Sequence, residues 1–281
     1  MKGRATFRVW RWDGTRIAAH RGGIPLDDRG FRYGQHLFES IAVRNGSALL
    51  AREHLALLSA AAKRHAFPFP RSLASSLRSF LGSVKLPDGM LRIYLTAGAG
   101  APCAPITAPG CHLTWEATRF PAEEDLAAGY RLVISGKAVA AGGWGEKSGN
   151  YWSPLTALAD ARKGGADEAI VPDEQGRVLS CAMGNLLVWL PTRSGIILCT
   201  PPASSGARSG AVLEWVRRKA PLHERPLRPA DLRRAVALAV TNSRLGVMPA
   251  ALLDGKPLSH PGPAQQLARD YLRSHGLLRG A

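Results

Sequence analysis

Short apolar runs, separated by signals for tight turns, constrain the fold of this chain more than any other sequence feature. Apolar and polar residues alternate over 7–12, and an Asp-Gly pair follows at 13–14. An Asn-Gly pair at 45–46 and the polar segment 173–176 end other apolar runs in the same way. The pattern predicts that antiparallel strands joined by tight turns make up much of the chain.

Helical periodicity is confined to a few longer segments, and these occur in groups rather than after every strand. They are predicted at 52–65, 72–84, 151–162, 211–219 and 263–275. In the third of them, Leu155, Leu158 and Ala159 lie on one helical face, and Ala157 and Ala161 favour helix formation. Grouped helices beside dominant strands favour two α+β domains over regular βαβ winding.

A Pro- and acid-containing break near residue 120 is the predicted domain boundary. We expect a smaller N-terminal α+β domain at 1–120, a linker at 121–125 and a larger C-terminal domain at 126–281.

Bulk composition excludes some classes of protein. The 281 residues carry a net charge of +16, but the arginines are spread along the chain and form no basic arm or nucleic-acid module. Nucleic acid is therefore not expected as a partner, and a basic surface that attracts small anions is the simpler account. No apolar run reaches the roughly 20 residues of a membrane span. The N-terminus has no apolar stretch of signal-peptide length, so we expect a cytoplasmic protein.

The four cysteines lie far apart and do not pair with a histidine at metal-ligand spacing. We predict neither a metal site nor a disulfide.

Lys147 is the residue with the most chemical interest. It lies between a Gly-Gly-Trp-Gly run at 142–145 and the helix predicted at 151–162. A lysine that loses its proton when desolvated can attack a carbonyl group and form a Schiff base. From the residue alone, an exposed lysine in a loop before a helix remains the alternative.

The order of motifs around Lys147 resembles the fold-type IV pyridoxal-phosphate enzymes, which include class IV aminotransferases and aminodeoxychorismate lyases. The resemblance extends from Asp28 to Asp254. The motifs that carry it are Arg29-Gly-Phe-Arg-Tyr-Gly34, Phe38-Glu39, His54, Lys147-x-x-Asn150-Tyr151, 165–169, 176–178, Asn185-Leu186, Thr200-Pro-Pro202 and Thr241-Asn-Ser243 with Pro249. The last of these and the short spacing from Lys147 to Tyr151 most resemble the lyase branch.

The resemblance implies a two-domain, D-amino-acid aminotransferase-like fold with the active site in the interdomain cleft, and a homodimer. It implies that Lys147 holds pyridoxal 5'-phosphate as a Schiff base and moves the proton at the substrate α-carbon. The expected substrate is a small anionic amino or keto acid.

Several positions depart from the pattern of the family. Leu57 stands where an arginine binds the cofactor phosphate, and Val212 stands where a threonine does. Ser180 replaces the glutamate at the pyridine nitrogen, Arg208 replaces a leucine against the ring face, and Ala97 replaces an arginine. A guanidinium that binds phosphate cannot be replaced by an isobutyl group.

Other groups are expected to compensate at the phosphate. Main-chain N–H groups at the helix that starts at Ala211 can bind an anion, and Thr241, Asn242 and Ser243 are the other residues of the family's phosphate loop. Tyr151 either hydrogen-bonds the ring oxygen of the cofactor or packs.

The remaining assignments concern the substrate. Arg32, Tyr33 and Arg208 are candidates for contact with its carboxylate, and the alternative is that the arginines are surface residues. Glu39 and His54 are expected to be structural rather than catalytic.

Two functional hypotheses follow from the resemblance, and a third from the charge. The first is a pyridoxal-phosphate lyase or aminotransferase. The second is a family descendant that has lost the cofactor and serves as a cofactor-free enzyme or a small-anion-binding protein. The third, a nucleic-acid binder, has only the net charge in its favour.

Overall fold

The structure is a computed structural model, and it describes residues 7–140 and 145–278. The chain divides into two compact units. The first comprises residues 1–120 with 146–150, and the second comprises 121–145 with 151–281. The first six residues and the Gly-Gly-Trp run at 142–144, which the sequence analysis singled out, lie outside the described residues.

The first unit is an antiparallel six-stranded sheet with helices. Its strands are β1 (Phe7–Trp12), β2 (Ile17–Ala19), β3 (His36–Arg44), β4 (Ser47–Ala48), β5 (Gly89–Thr96) and β6 (Gly110–Ala117), in the spatial order β2-β1-β6-β5-β3-β4. Its helices are α1 (Arg29–Tyr33), α2 (Ala51–Arg64) and α3 (Arg71–Ser83). The core forms where the apolar faces of α2 and α3 meet one face of the sheet, with Leu58, Leu77 and Leu91 almost fully buried.

The second unit is built on a larger, mixed sheet. Its strands are β7 (Tyr130–Ile134), β8 (Glu168–Pro172), β9 (Val178–Cys181), β10 (Asn185–Thr192), β11 (Gly195–Thr200), β12 (Leu222–Glu224), β13 (Ala237–Asn242), β14 (Gly246–Leu253) and β15 (Lys256–Pro257). Their order is β12-β11-β10-β13-β14-β7-β8-β9, with β15 beside β14. The pairs β11–β12, β14–β7 and β7–β8 are parallel and the others antiparallel.

Helices of the second unit are α4 (Glu123–Ala128), α5 (Trp152–Lys163), α6 (Ala211–Lys219), α7 (Pro229–Arg233) and α8 (Gly262–Ser274). The mixture of grouped helices and sheets confirms the predicted α+β class. No helix in the described ranges has both the length and the apolar character that a membrane crossing requires.

Several local predictions need correction. The short helix α1 was not predicted, and it forms because Asp28 caps its start and Gly34 ends it in a left-handed conformation. Residues 123–125, assigned to the linker, belong to α4. The strands β6 and β14 were not predicted.

The face that α5 buries differs from the apolar face described in the sequence analysis. The helix buries Pro154, Ala157, Leu158 and Ala161, whereas Leu155 and Ala159 are exposed. Residues at 154, 157, 158 and 161 fit one helical face as well as the predicted set does, so periodicity alone did not separate the two.

Candidate functional site

Lys147 lies on a short segment that pairs with the first unit rather than with the helix that follows it in sequence. The Phe38 N–H donates to the Lys147 carbonyl at 2.8 Å, and the Gly149 N–H donates to the His36 carbonyl at 3.2 Å. Leu37 and Ser148 form an isolated antiparallel bridge. Segment 146–150 therefore extends the ladder of β3, although the sequence assigned Lys147 to the second domain.

The Lys147 amine contacts a buried acid. Its Nζ donates to Glu39 Oε2 at 3.0 Å, and the Lys147 side chain is 22% exposed. The same oxygen lies 2.7 Å from His54 Nδ1. Glu39 comes from β3 and His54 from α2, and both are buried. Burial by itself would raise the pKa of Glu39, but the positive charge of Lys147 and the hydrogen bond from His54 lower it below its ordinary value.

The residues predicted to contact substrate in the first unit are exposed. Tyr33 and Arg32 both lie on α1, and the Arg32 guanidinium lies 4.9 Å from the centre of the Tyr33 ring. In the described part of the chain, no hydrogen bond joins either side chain to Lys147. Leu57 lies on α2 without a polar atom to offer a phosphate, and Ala97 follows β5 and is buried.

In the second unit, Arg208 is a buried residue and not one of the surface arginines. Its Nη2 donates to the carbonyls of Cys181 at 2.8 Å and Ala182 at 2.6 Å. Its Nη1 donates to the Tyr151 hydroxyl at 3.0 Å, and the guanidinium lies 5.3 Å from the centre of the Tyr151 ring. Planar guanidinium groups suit this combination of carbonyl acceptors and an aromatic face.

Ser180 lies beside Arg208. It occupies β9, is 1% exposed, and its hydroxyl donates to the Cys181 carbonyl at 2.8 Å. Arg208 Nη2 lies 3.5 Å from the same Ser180 oxygen. Tyr151, Ser180 and Arg208 are thus brought together by the fold, and one guanidinium contacts both of the other two side chains.

The residues of the second unit that are predicted to bind the phosphate differ in the hydrogen-bond donors that they provide. Ala211 and Val212 are the first two residues of α6, whose N-cap, Gly210, supplies no side-chain hydrogen bond. Thr241 on β13 is fully buried, and its hydroxyl has no hydrogen-bond partner within the described residues. An uncapped helix start and a free buried hydroxyl are suitable donors for a phosphate.

The polar atoms of Asn242 are used inside the protein. Its Oδ1 accepts from the N–H groups of Arg244 and Leu245, and its Nδ2 donates to the Met183 carbonyl at 3.1 Å. Ser243 lies in the same turn and is half-buried.

Glu168 and Arg29 are among the buried charged residues to which the sequence analysis gave no role. Glu168, the first residue of β8, is 2% exposed, and burial raises the pKa of its carboxyl to about 7 despite backbone hydrogen bonds and the charge of Arg208. Arg29 is buried against the carbonyls of Ala97, Gly98 and Ala104. Both belong to motifs of the resemblance, which was the only signal that could have marked them. Within the ranges 7–140 and 145–278, no group of His, Cys, Asp or Glu is arranged to hold a metal ion.

Comparison with known proteins adds the family context. The family model for amino-transferase class IV matches residues 36–253. A protein from Methanocaldococcus jannaschii with the provisional name branched-chain-amino-acid aminotransferase is 25% identical over 265 residues, which cover 84% of this chain and 85% of that protein.

Solved structures are similar over nearly the whole chain. The crystal structure of 4-amino-4-deoxychorismate lyase from Pseudomonas aeruginosa has a TM-score of 0.80 and 26% identity, covering 97% of this chain and 100% of that one. A hypothetical aminotransferase from Mycobacterium tuberculosis in its PLP-bound form has a TM-score of 0.73 and 22% identity, with 95% and 99% covered. These likenesses confirm the fold predicted from the motifs.

Proposed function

Because the chain belongs to the amino-transferase class IV family, we propose that it is a pyridoxal-phosphate-dependent enzyme acting on the amino group of a small carboxylate substrate. The family comprises aminotransferases and aminodeoxychorismate lyases and depends on this cofactor. Lys147 is the proposed Schiff-base lysine. The observation that carries the proposal is its amine, partly buried and ion-paired with Glu39.

The chain offers some of the groups that the cofactor needs. Lys147 would hold it covalently, and the Thr241 hydroxyl with the N–H groups at the start of α6 would bind its phosphate. The cofactor, when bound, withdraws electrons from the substrate, and the protein supplies binding and orientation. Arg32 and Tyr33 are proposed to contact the substrate carboxylate. A homodimer and a cytoplasmic location remain predictions.

A second candidate function is favoured by Arg208. The resemblance assigns Tyr151 to the ring oxygen of the cofactor and Ser180 to the ring nitrogen, which are different atoms of one ring. Here one guanidinium contacts both side chains. Together with the apolar Leu57 and Val212, this contact supports a family descendant that uses the fold without the cofactor.

Titration with pyridoxal phosphate separates the two candidates. The first expects calorimetric binding at about micromolar concentration and an absorbance band near the visible edge. Lys147→Ala should abolish the band. Lys163→Ala, which removes an exposed lysine of α5, should leave it unchanged. A colourless chain that takes up no cofactor would contradict the first candidate.

Arg208→Leu sharpens this test, because it restores the family residue and removes the guanidinium from Tyr151 and Ser180. If cofactor binding appears only in Arg208→Leu, the guanidinium blocks the ring and the second candidate describes the natural chain. If Leu57→Arg is also needed, the phosphate contact was lost as well.

A further inference from the structure

Two side chains share one carboxylate oxygen in the first unit. Glu39 Oε2 accepts from Lys147 Nζ at 3.0 Å and from His54 Nδ1 at 2.7 Å. Glu39 is 4% exposed and His54 is 1% exposed. The three groups come from β3, α2 and segment 146–150, so the tertiary fold and not local sequence brings them together.

The charges of this cluster follow from its burial. A buried carboxylate is costly unless it is paired and hydrogen-bonded. With Glu39 anionic and His54 donating through its Nδ1–H, Lys147 completes the pair as an ammonium. An ammonium has no lone pair and cannot attack a carbonyl group.

Other charged groups nearby are paired elsewhere. Glu146 precedes Lys147, but its two oxygens accept from Arg64 at 2.7 and 3.1 Å, and His65 lies 3.6 Å away. On β5, the residue opposite Glu39 is the apolar Ile93. The neighbours Arg92 and Tyr94 alternate to the other face of the sheet.

We propose that Glu39, held by His54, is a positioning residue that fixes the Lys147 ammonium in place by its opposite charge. This inference rests on the proposed role of Lys147 as the reactive amine. It gives Glu39 and His54 a second role beside the structural one expected from sequence.

The test measures the reactivity of Lys147 without any cofactor. The full chain is labelled with a trace of acetic anhydride at neutral pH, and the label on Lys147 is compared by mass spectrometry with that on Lys85, an exposed lysine of the first unit. Loss of an opposite charge at this distance changes the neutral fraction of an amine by about tenfold or more. Glu39→Gln should therefore raise the relative labelling of Lys147 by at least about tenfold.

Glu146→Gln is the matched control, because it removes the same charge from the adjacent residue without touching Nζ. Its labelling of Lys147 should match that of the natural chain. At high pH every lysine is neutral, so the labelling of Lys147 should become equal in the natural chain and in Glu39→Gln. A difference in labelling caused by solvent access would persist at high pH. Unchanged labelling in Glu39→Gln, or an equal rise in Glu146→Gln, overturns the inference.

Should Glu39→Gln fail to fold, Glu39→Asp replaces it. This variant keeps the carboxylate but moves it away from Lys147 by the length of one methylene group. The labelling of Lys147 should therefore rise, but by a smaller factor than in Glu39→Gln. No rise there also overturns the inference. The cofactor titration is a separate measurement: a chain that shows the labelling change but binds no cofactor retains this inference and loses the first functional candidate.

Discussion

Glu168 is a buried carboxyl group whose protonation couples to folding. Its Oε1 accepts from the Ala169 N–H at 2.9 Å and its Oε2 from the Met183 N–H at 3.3 Å. Burial raises its pKa from 4.5 to about 7 in the folded chain. The folded state therefore binds this proton more tightly than the unfolded chain does. The contribution of Glu168 to stability is fully present below pH 4.5 and is lost as pH rises through about 7.

A pH-dependent unfolding experiment checks this. A pKa shift of that size corresponds to about 3 kcal/mol. The free energy of unfolding in urea is measured for Glu168→Gln and for the natural chain. The variant should gain about that amount relative to the natural chain between about pH 5 and about pH 8. Comparing the two pH values cancels any constant cost of the amide. Glu174→Gln, at an exposed acid of the following turn, should show no such change. If the difference in unfolding free energy between Glu168→Gln and the natural chain does not change with pH, the Glu168 carboxyl is ionised in the folded protein.

At the residue scale, sequence predicted which side chain to examine but not its partners. Lys147 and Tyr151 stand in motifs that can be read directly. The contacts of Lys147 with Glu39 and of Arg208 with Ser180 join residues far apart in sequence. A pattern in one chain does not reveal such pairs, because they arise from tertiary packing.

Segment 146–150 is the element that decides where the Lys147 amine lies. Gly149 approaches the backbone of Gly34 so closely that an added Cβ would lie 2.5 Å from the Gly34 Cα. Gly149→Ala should therefore push the segment away from β3 and cost about 1–3 kcal/mol of unfolding free energy.

Gly82→Ala is the matched control for that change. Gly82 lies in α3 with open space where a Cβ would be, so alanine should stabilise the chain by up to about 1 kcal/mol. Chemical denaturation measures both variants. Equal stability of Gly149→Ala and the natural chain would show that the segment can move without cost.

The longer helices have a clear period and were predicted, whereas two strands were missed for different reasons. The helices α2, α3, α6 and α8 follow a 3.6-residue repeat, and their existence is confirmed. Strand β14 contains Pro249, which usually argues against an interior strand because proline lacks an N–H. Strand β6 does have the two-residue period of a strand, because the buried Cys111, Leu113 and Trp115 come at every second position, and the sequence analysis overlooked it.

At the scale of the whole molecule, the prediction is a homodimer. Light scattering at about micromolar concentration should give twice the mass of the chain. Helix α5 leaves Trp152 83% exposed and Leu155 50% exposed, and exposed apolar groups of this size often mark contact surfaces. Trp152→Gln should weaken the dimer, whereas Ile196→Gln, at another exposed apolar residue of the second unit, should not. A monomeric natural chain would contradict the prediction.

The pairing of segment 146–150 with β3 also determines when, during synthesis on the ribosome, the contacts of the first unit can all form. The six strands of the first sheet have all been translated once residue 117 has been added. The ammonium partner of Glu39, however, lies 108 residues after it. Contacts between residues so far apart in sequence form late, because the entropy of closing a large loop is lost before the contact can stabilise the fold. A nascent chain that ends before residue 147 lacks the ammonium partner of Glu39, which becomes available only after translation of the second unit has begun.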